Sequence, residues 1–242
     1  MADLLVPAWP APANVRAVQT LRSGGCSPAP WGSFNLGDHV GDDPRHVAAN
    51  RAALRRLLPG EPLWLTQVHG IAVADAGSPP DSLEADAAFA RVPGRVCAVM
   101  IADCLPVLFC DRAGTVVAAA HAGWRGLVAG VLEATISKMG VPSDELLVWL
   151  GPAIGPQRFE VGDEVRAAFL AHDAAAESAF LPQPQGKWLA DIYQLARQRL
   201  RAAGVGSISG GDCCTVSDVS RFFSYRRDGV TGRMASLIWL DS

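Results

Sequence analysis

Three soft-ligand side chains stand where apolar stretches stop. His69 closes Trp64-Leu65-Thr66-Gln67-Val68, Cys104 follows Val96–Asp103 two residues before Pro106, and His121 follows Thr115–Ala120. Each has a Gly or Pro within two residues. A strand end holds a side chain on a rigid frame while leaving it open to a cleft. Two neutral imidazoles and a thiolate form a catalytic zinc set with a fourth position left for water or substrate. Bound zinc lowers the pKa of water to about 7. The spacing is too wide for a local metal motif, so placement carries this reading. The same donors suit copper. They also suit a cysteine hydrolase, with Cys104 as nucleophile and His69 or His121 as base. Taken singly, each has an ordinary role open to it, since a cysteine after a strand packs as a small core residue.

Other residues gather around these. Asp103, beside Cys104, is placed to orient a ligand, to move a proton, or simply to cap a strand end. Gly123-Trp124-Arg125-Gly126 opens a helix, and its N-terminal N–H groups together with Arg125 suit an anion such as phosphate. The plain alternative for Arg125 is a solvent-facing side chain in the first turn. Arg22-Ser23-Gly24-Gly25 and Phe34-Asn35-Leu36-Gly37 are polar loops, with Arg22 and Asn35 as substrate-binding candidates if they line a pocket. Glu160 is a further candidate acid or base, weaker than Asp103. The pair Arg226-Arg227 reads as a solvated turn.

The elements that must position these residues follow from periodicity. Residues 1–45 read as short strands and loops. Asp43-Pro44 starts a helix through about Leu58, stopped by Pro59-Gly60. Leu63–Val68 reads as a short strand, Ile71–Asp75 as extended chain and Gly77–Glu84 as a loop. Val96–Ala102, Val107–Cys110 and Thr115–Ala120 read as strands. Their unbroken apolar runs suggest cover on both faces. After Gly123 the period becomes helical up to Gly140. Leu146–Leu150 is a strand. Val161–His172 and Leu189–Ala203 read as helices, and Phe222–Tyr225 and Ala235–Leu240 as final strands.

Composition bounds the rest. The 242 residues are 50% hydrophobic and 19% charged, so the chain is no disordered protein, and no composition break divides it. One domain spanning 1–242, of mixed α and β content, is expected. A net charge of −3 gives no footprint for nucleic acid. No apolar run approaches the roughly 20 residues of a membrane span, and the proline-broken N-terminus lacks a basic region, so no signal peptide is expected there. Six cysteines without a C-x-x-C pair in a chain this large read as reduced thiols in the cytoplasm. Five histidines are too few for a multicopper cluster. Nothing in the sequence sets an oligomeric state.

At the same residues the chain resembles the YfiH or laccase-domain family of bacterial proteins. The matching stretches are Trp64-Leu65-x-Gln67-Val68-His69-Gly70, Ala102–Phe109, Ala118–Gly126, Leu150–Gly155, Phe159-Glu160-Val161-Gly162, Asp191–Leu195 and Phe222–Met234. They span nearly the whole chain. The resemblance implies two mixed sheets sandwiched between helices, a four-layer α/β/β/α arrangement. It implies a zinc site at His69, Cys104 and His121. It also implies phosphorolysis of purine nucleosides, including methylthioadenosine, and deamination of adenosine. Other descriptions of the family are a copper-dependent polyphenol oxidase and a cytoplasmic editing factor for peptidoglycan precursors. The chain departs from the family pattern at Leu21, where Thr is common, and at the doubled Cys213-Cys214.

Overall fold

The computed structural model describes residues 3–78 and 82–241. Its frame is a pair of facing sheets. The larger has six strands in the order β13 (Ser207–Gly210), β9 (Leu146–Leu150), β7 (Leu105–Asp111), β8 (Val117–Ala122), β5 (Ala87–Ala90) and β4 (Val73–Asp75). The other has five, in the order β1 (Leu4–Leu5), β2 (Val15–Thr20), β14 (Met234–Leu240), β6 (Val96–Ile101) and β3 (Pro62–Leu63). Every residue of β6, β7, β8, β9 and β14 is buried. That is the physical meaning of the unbroken apolar runs, since strands covered on both faces cannot alternate with polar residues.

Alternate side chains of each strand serve two different cores. Leu108 and Cys110 of β7, Ala119 of β8 and Ala88 and Ala90 of β5 face the other sheet, meeting Cys97, Val99 and Ile238. Leu105, Val107, Phe109, Ala118 and Ala120 face outward. They meet α2 (Trp124–Ala129), α3 (Val131–Met139), α4 (Asp163–His172) and α5 (Ile192–Ala202) through Leu127, Leu132, Phe169 and Leu195. On the opposite side α1 (Pro44–Arg55) lays Leu54 over Ala98, Leu237 and Trp239. The layers are therefore helix, sheet, sheet, helix, as the resemblance implied.

Several elements differ from their sequence readings, each for a local reason. A third sheet, β10 (Glu160–Gly162), β12 (Lys187–Ala190) and β11 (Phe180–Gln183), takes the starts of two expected helices. Those helices begin only at Asp163, after Gly162, and at Ile192, where Asp191 accepts from the Gln194 N–H at 2.9 Å. The helix after Gly123 is broken by Gly130, at φ +105°, into α2 and α3. Leu63–Val68 is strand only to Leu63. Beyond it the Gln67 side-chain amide substitutes for backbone, donating to Met100 O and accepting from Met100 N. Phe222–Tyr225 is no strand. Phe222 and Phe223 pack on Ile101 and Met234, and Ser224 accepts from the Arg227 N–H to cap the short helix α6 (Tyr225–Asp228). In the expected loop Gly77–Glu84, positions 79–81 lie outside the described residues. Among the described residues, no helix is long and apolar enough to cross a membrane.

The turn from β7 to β8, which sets the register beneath the site, is tied by Asp111. Its carboxylate accepts from Thr115 N (2.7 Å), Thr115 Oγ1 (2.6 Å) and Val116 N (3.0 Å). Burial pushes this carboxyl up, and the bonds from Thr115 and Val116 more than reverse that, holding it below the usual aspartate value. A carboxyl lowered on folding stabilises the protein above about pH 4 and ceases to do so as pH falls through its folded-state pKa. Asp111→Ala is expected to cost about 2–3 kcal/mol at neutral pH. In urea unfolding followed across pH, the gap from wild type should narrow below about pH 4. A gap that stays constant into acid would contradict this.

Candidate metal centre

Antiparallel pairing of β7 with β8 sets Pro106 opposite His121. Cys104 lies two residues before Pro106, so it projects from the same side as His121, the side turned toward the five-stranded sheet. On the neighbouring strand, Ala87 pairs with Ala120. Asp86 is thereby brought beside His121, whose backbone N–H donates to Asp86 O at 2.7 Å. His69 arrives from the other sheet, on the segment held by Gln67. Its φ is +62°, in the left-handed region, which non-glycine residues occupy rarely, histidine more readily than most.

The result is a tight group. The ligand atoms of His69, Cys104 and His121 all lie within 4.8 Å of one another, and among the described residues this is the one such cluster. Cys104 Sγ is 3.7 Å from His69 Nε2, close to the spacing that two ligands at roughly 2.0–2.3 Å impose on a tetrahedral ion. The two imidazoles meet edge to face, with centroids 4.8 Å apart. His121 is buried, Cys104 half-buried and His69 exposed. The donors fit a three-ligand zinc or copper position with one side open.

Asp86, a residue the sequence reading passed over, is fully buried behind this group. Its Oδ1 accepts from His69 N (2.9 Å) and lies 2.8 Å from His121 Nδ1. Its Oδ2 accepts from Val68 N (3.1 Å) and Gly70 N (2.7 Å). Burial pushes its carboxyl up, but His121 and the amides overcome that and leave it lowered. A charged residue at the head of the apolar run Ala87–Ala90 was the one sequence signal available.

Asp103 also lies beside the group, with φ +94°. Both its oxygens are engaged: Oδ1 accepts from Thr215 Oγ1 (2.5 Å), and Oδ2 from Ser224 Oγ (3.0 Å) and Arg226 N (2.7 Å). It fastens the Cys104 turn to the 215–226 segment. The group opens into a cleft of about 580 Å³, lined by Trp124, Arg125, Phe159, Tyr225, Arg226 and Arg233 among others. Arg125 is thus at the cleft, stacked 4.6 Å from the Trp124 ring centroid, but α2 has only six residues and its dipole adds little. Arg22 and Asn35 are not among the lining residues. Arg22 donates to Gly32 O and Val219 O, and buried Asn35 bonds Gly37, Asp42 and Arg233 N. Arg226, read as part of a solvated turn, and Arg233, not singled out at all, are the cleft's further cations. Only the fold shows where they point.

Electrostatics favour a thiolate. Burial pushes the Cys104 thiol up, and the facing His121 and His69 imidazoles bring it down to about 6. Burial opposes charge on His121, yet the Cys104 sulfur and the Asp86 carboxylate raise it. Cys97 and Cys110, inside the sheets, are raised by burial.

A four-layer fold carrying an open two-histidine, one-cysteine donor set at a cleft defines a class of candidate metal-dependent protein. The chain belongs to the family described as multi-copper polyphenol oxidoreductase laccase, which it matches over residues 16–241. It is 62% identical over 237 residues to a Pseudomonas aeruginosa protein named purine nucleoside phosphorylase, covering 98% of each chain. It is 59% identical over 243 residues to purine nucleoside phosphorylase YfiH of Escherichia coli, covering 99% of this chain and 100% of the other. The crystal structure of a Neisseria meningitidis protein matches with a TM-score of 0.94 at 52% identity, over 99% of both chains.

Two outcomes test the geometry. In metal-free protein, iodoacetamide should alkylate Cys104 with a midpoint near pH 6, below an ordinary thiol near 8.5, and zinc should protect it. A midpoint of an ordinary thiol would contradict the arrangement. Gly123 has ordinary backbone angles, but an added Cβ would stand 2.8 Å from His69 Cδ2 and 3.0 Å from Cys104 Sγ. Gly123→Ala is therefore expected to keep the fold by circular dichroism while weakening zinc binding on the order of tenfold or more.

Proposed function

We propose that the chain is a zinc-dependent purine nucleoside phosphorylase that also acts on methylthioadenosine and deaminates adenosine. One observation carries this reading: the two-histidine, one-cysteine donor set opens into the same cleft as three aromatic rings and three arginines. The names of the bacterial relatives support its phosphorylase part.

His69, Cys104 and His121 would hold the metal, which would supply Lewis acidity when bound. Trp124, Phe159 and Tyr225 offer ring faces to a purine base. Arg125, Arg226 and Arg233 offer charge-assisted donors to phosphate. In phosphorolysis a phosphate oxygen bonds to ribose C1′ while the bond from C1′ to the base nitrogen breaks, and the base leaves with the electron pair and takes up a proton. The arginines favour this by holding the anionic nucleophile against the sugar. With both oxygens occupied, Asp103 serves by fixing Tyr225 and Arg226 in the cleft wall rather than by moving a proton. Arg22 and Asn35 serve the frame behind that wall. Copper fits the same donors, but five histidines, two of them in this group, do not build a multicopper cluster.

The test is release of adenine and inosine from adenosine, with and without phosphate. Adenine release should require phosphate. His121→Ala should reduce both products by about a hundredfold or more, the scale of losing a ligand or acid–base group. Release indifferent to phosphate, or to this substitution, would remove the reading.

A further inference from the structure

We infer that Asp86 is the positioning residue of the metal centre: it fixes the tautomer of His121 and the backbone of His69 together, and so sets the affinity of the site for its metal. This rests on the reading of His69, Cys104 and His121 as a metal-binding group, and not on the nucleoside chemistry.

An ionised carboxylate has only acceptors. The 2.8 Å contact between Asp86 Oδ1 and His121 Nδ1 therefore places the imidazole proton on Nδ1. Nε2 is left with its lone pair for the group formed with Cys104 and His69, and the carboxylate makes it a more basic ligand. The other three contacts converge from consecutive residues, the N–H groups of Val68, His69 and Gly70. These residues lie outside any strand, and His69 sits at φ +62°. Three amides turned onto one anion hold a backbone that no sheet ladder holds. Asp86 grips His121 a second time, through its own carbonyl, which accepts from the His121 N–H at 2.7 Å. Both histidines, one from β8 and one from the loop between β3 and β4, are thus referred to a single buried anion. Asparagine in its place offers one acceptor oxygen and turns an N–H₂ group toward other donors, so it cannot satisfy all four.

The experiment uses the full-length protein and Asp86→Asn. Zinc affinity is measured by competition with a chromophoric chelator, and the visible spectrum is recorded after cobalt substitution. The variant should bind zinc about 10- to 100-fold more weakly, and its cobalt bands should shift as ligand geometry loosens. Nitrogen-15 shifts of His121 in the wild-type protein should show Nδ1 protonated and Nε2 metallated. Wild-type zinc affinity and an unchanged cobalt spectrum in a folded variant would overturn the inference. So would a variant whose melting temperature drops equally with and without zinc at unaltered affinity, which is the behaviour of a purely structural residue. If Asp86→Asn does not fold, the wild-type nitrogen-15 shifts decide alone: a proton on His121 Nε2, or metal on Nδ1, would overturn the inference. None of these measurements uses a nucleoside, so a failure of the phosphorylase reading leaves them standing, and their failure leaves that reading open to its own test.

Discussion

A carboxylate removed from water must be compensated on the spot, because an uncompensated buried charge costs several kcal/mol. Asp86 is fully buried, and the four donors that compensate it are the three amides of the His69 loop and the imidazole of His121. The requirement works in both directions. The anion stays because the donors converge, and the donors converge because the anion is there. A loop from one sheet and a strand end from the other are thereby locked into one unit, and the sulfur of Cys104 completes it. Asp103 does for the far wall of the cleft what Asp86 does behind the ligands, gathering Thr215, Ser224 and Arg226 onto the turn that carries Cys104.

The two sheets make this possible by being rigid where the site needs a frame and ending where it needs an opening. Strands buried on both faces have no slack in register, since a one-residue slip would exchange the two cores. The pairing of Pro106 with His121 and of Ala87 with Ala120 therefore fixes the relative positions of Cys104, His121 and Asp86. The close approach of His69 and Cys104 over Gly123 is the limit of this packing, with no room for even one more carbon.

Charge around the centre is unequally distributed. The carboxylates nearest to it are consumed by internal donors, while the guanidinium groups of Arg125, Arg226 and Arg233 line the cleft. A thiolate is stabilised in such a place.

The sequence by itself determined the mixed α and β content, because apolar runs at Val96–Ala102, Val107–Cys110 and Thr115–Ala120 leave few ways to be buried, and the strands found there are Val96–Ile101, Leu105–Asp111 and Val117–Ala122. It also marked His69, Cys104 and His121 by their types and by the apolar stretches before them, which are local properties, although His69 stands in a loop six residues beyond β3 and His121 lies within β8. The starts of α4 and α5, the break at Gly130 and the non-strand at Phe222–Ser224 were not legible. They depend on a third sheet pairing across distant segments and on caps that compete with periodicity. Asp86 behind the donor group and Arg233 at the cleft were invisible for the same reason. A buried aspartate is recognisable by the donors that surround it, and a cleft arginine by the side of the wall it points from. Those neighbours come from segments far apart in the chain, so only the tertiary structure could decide them.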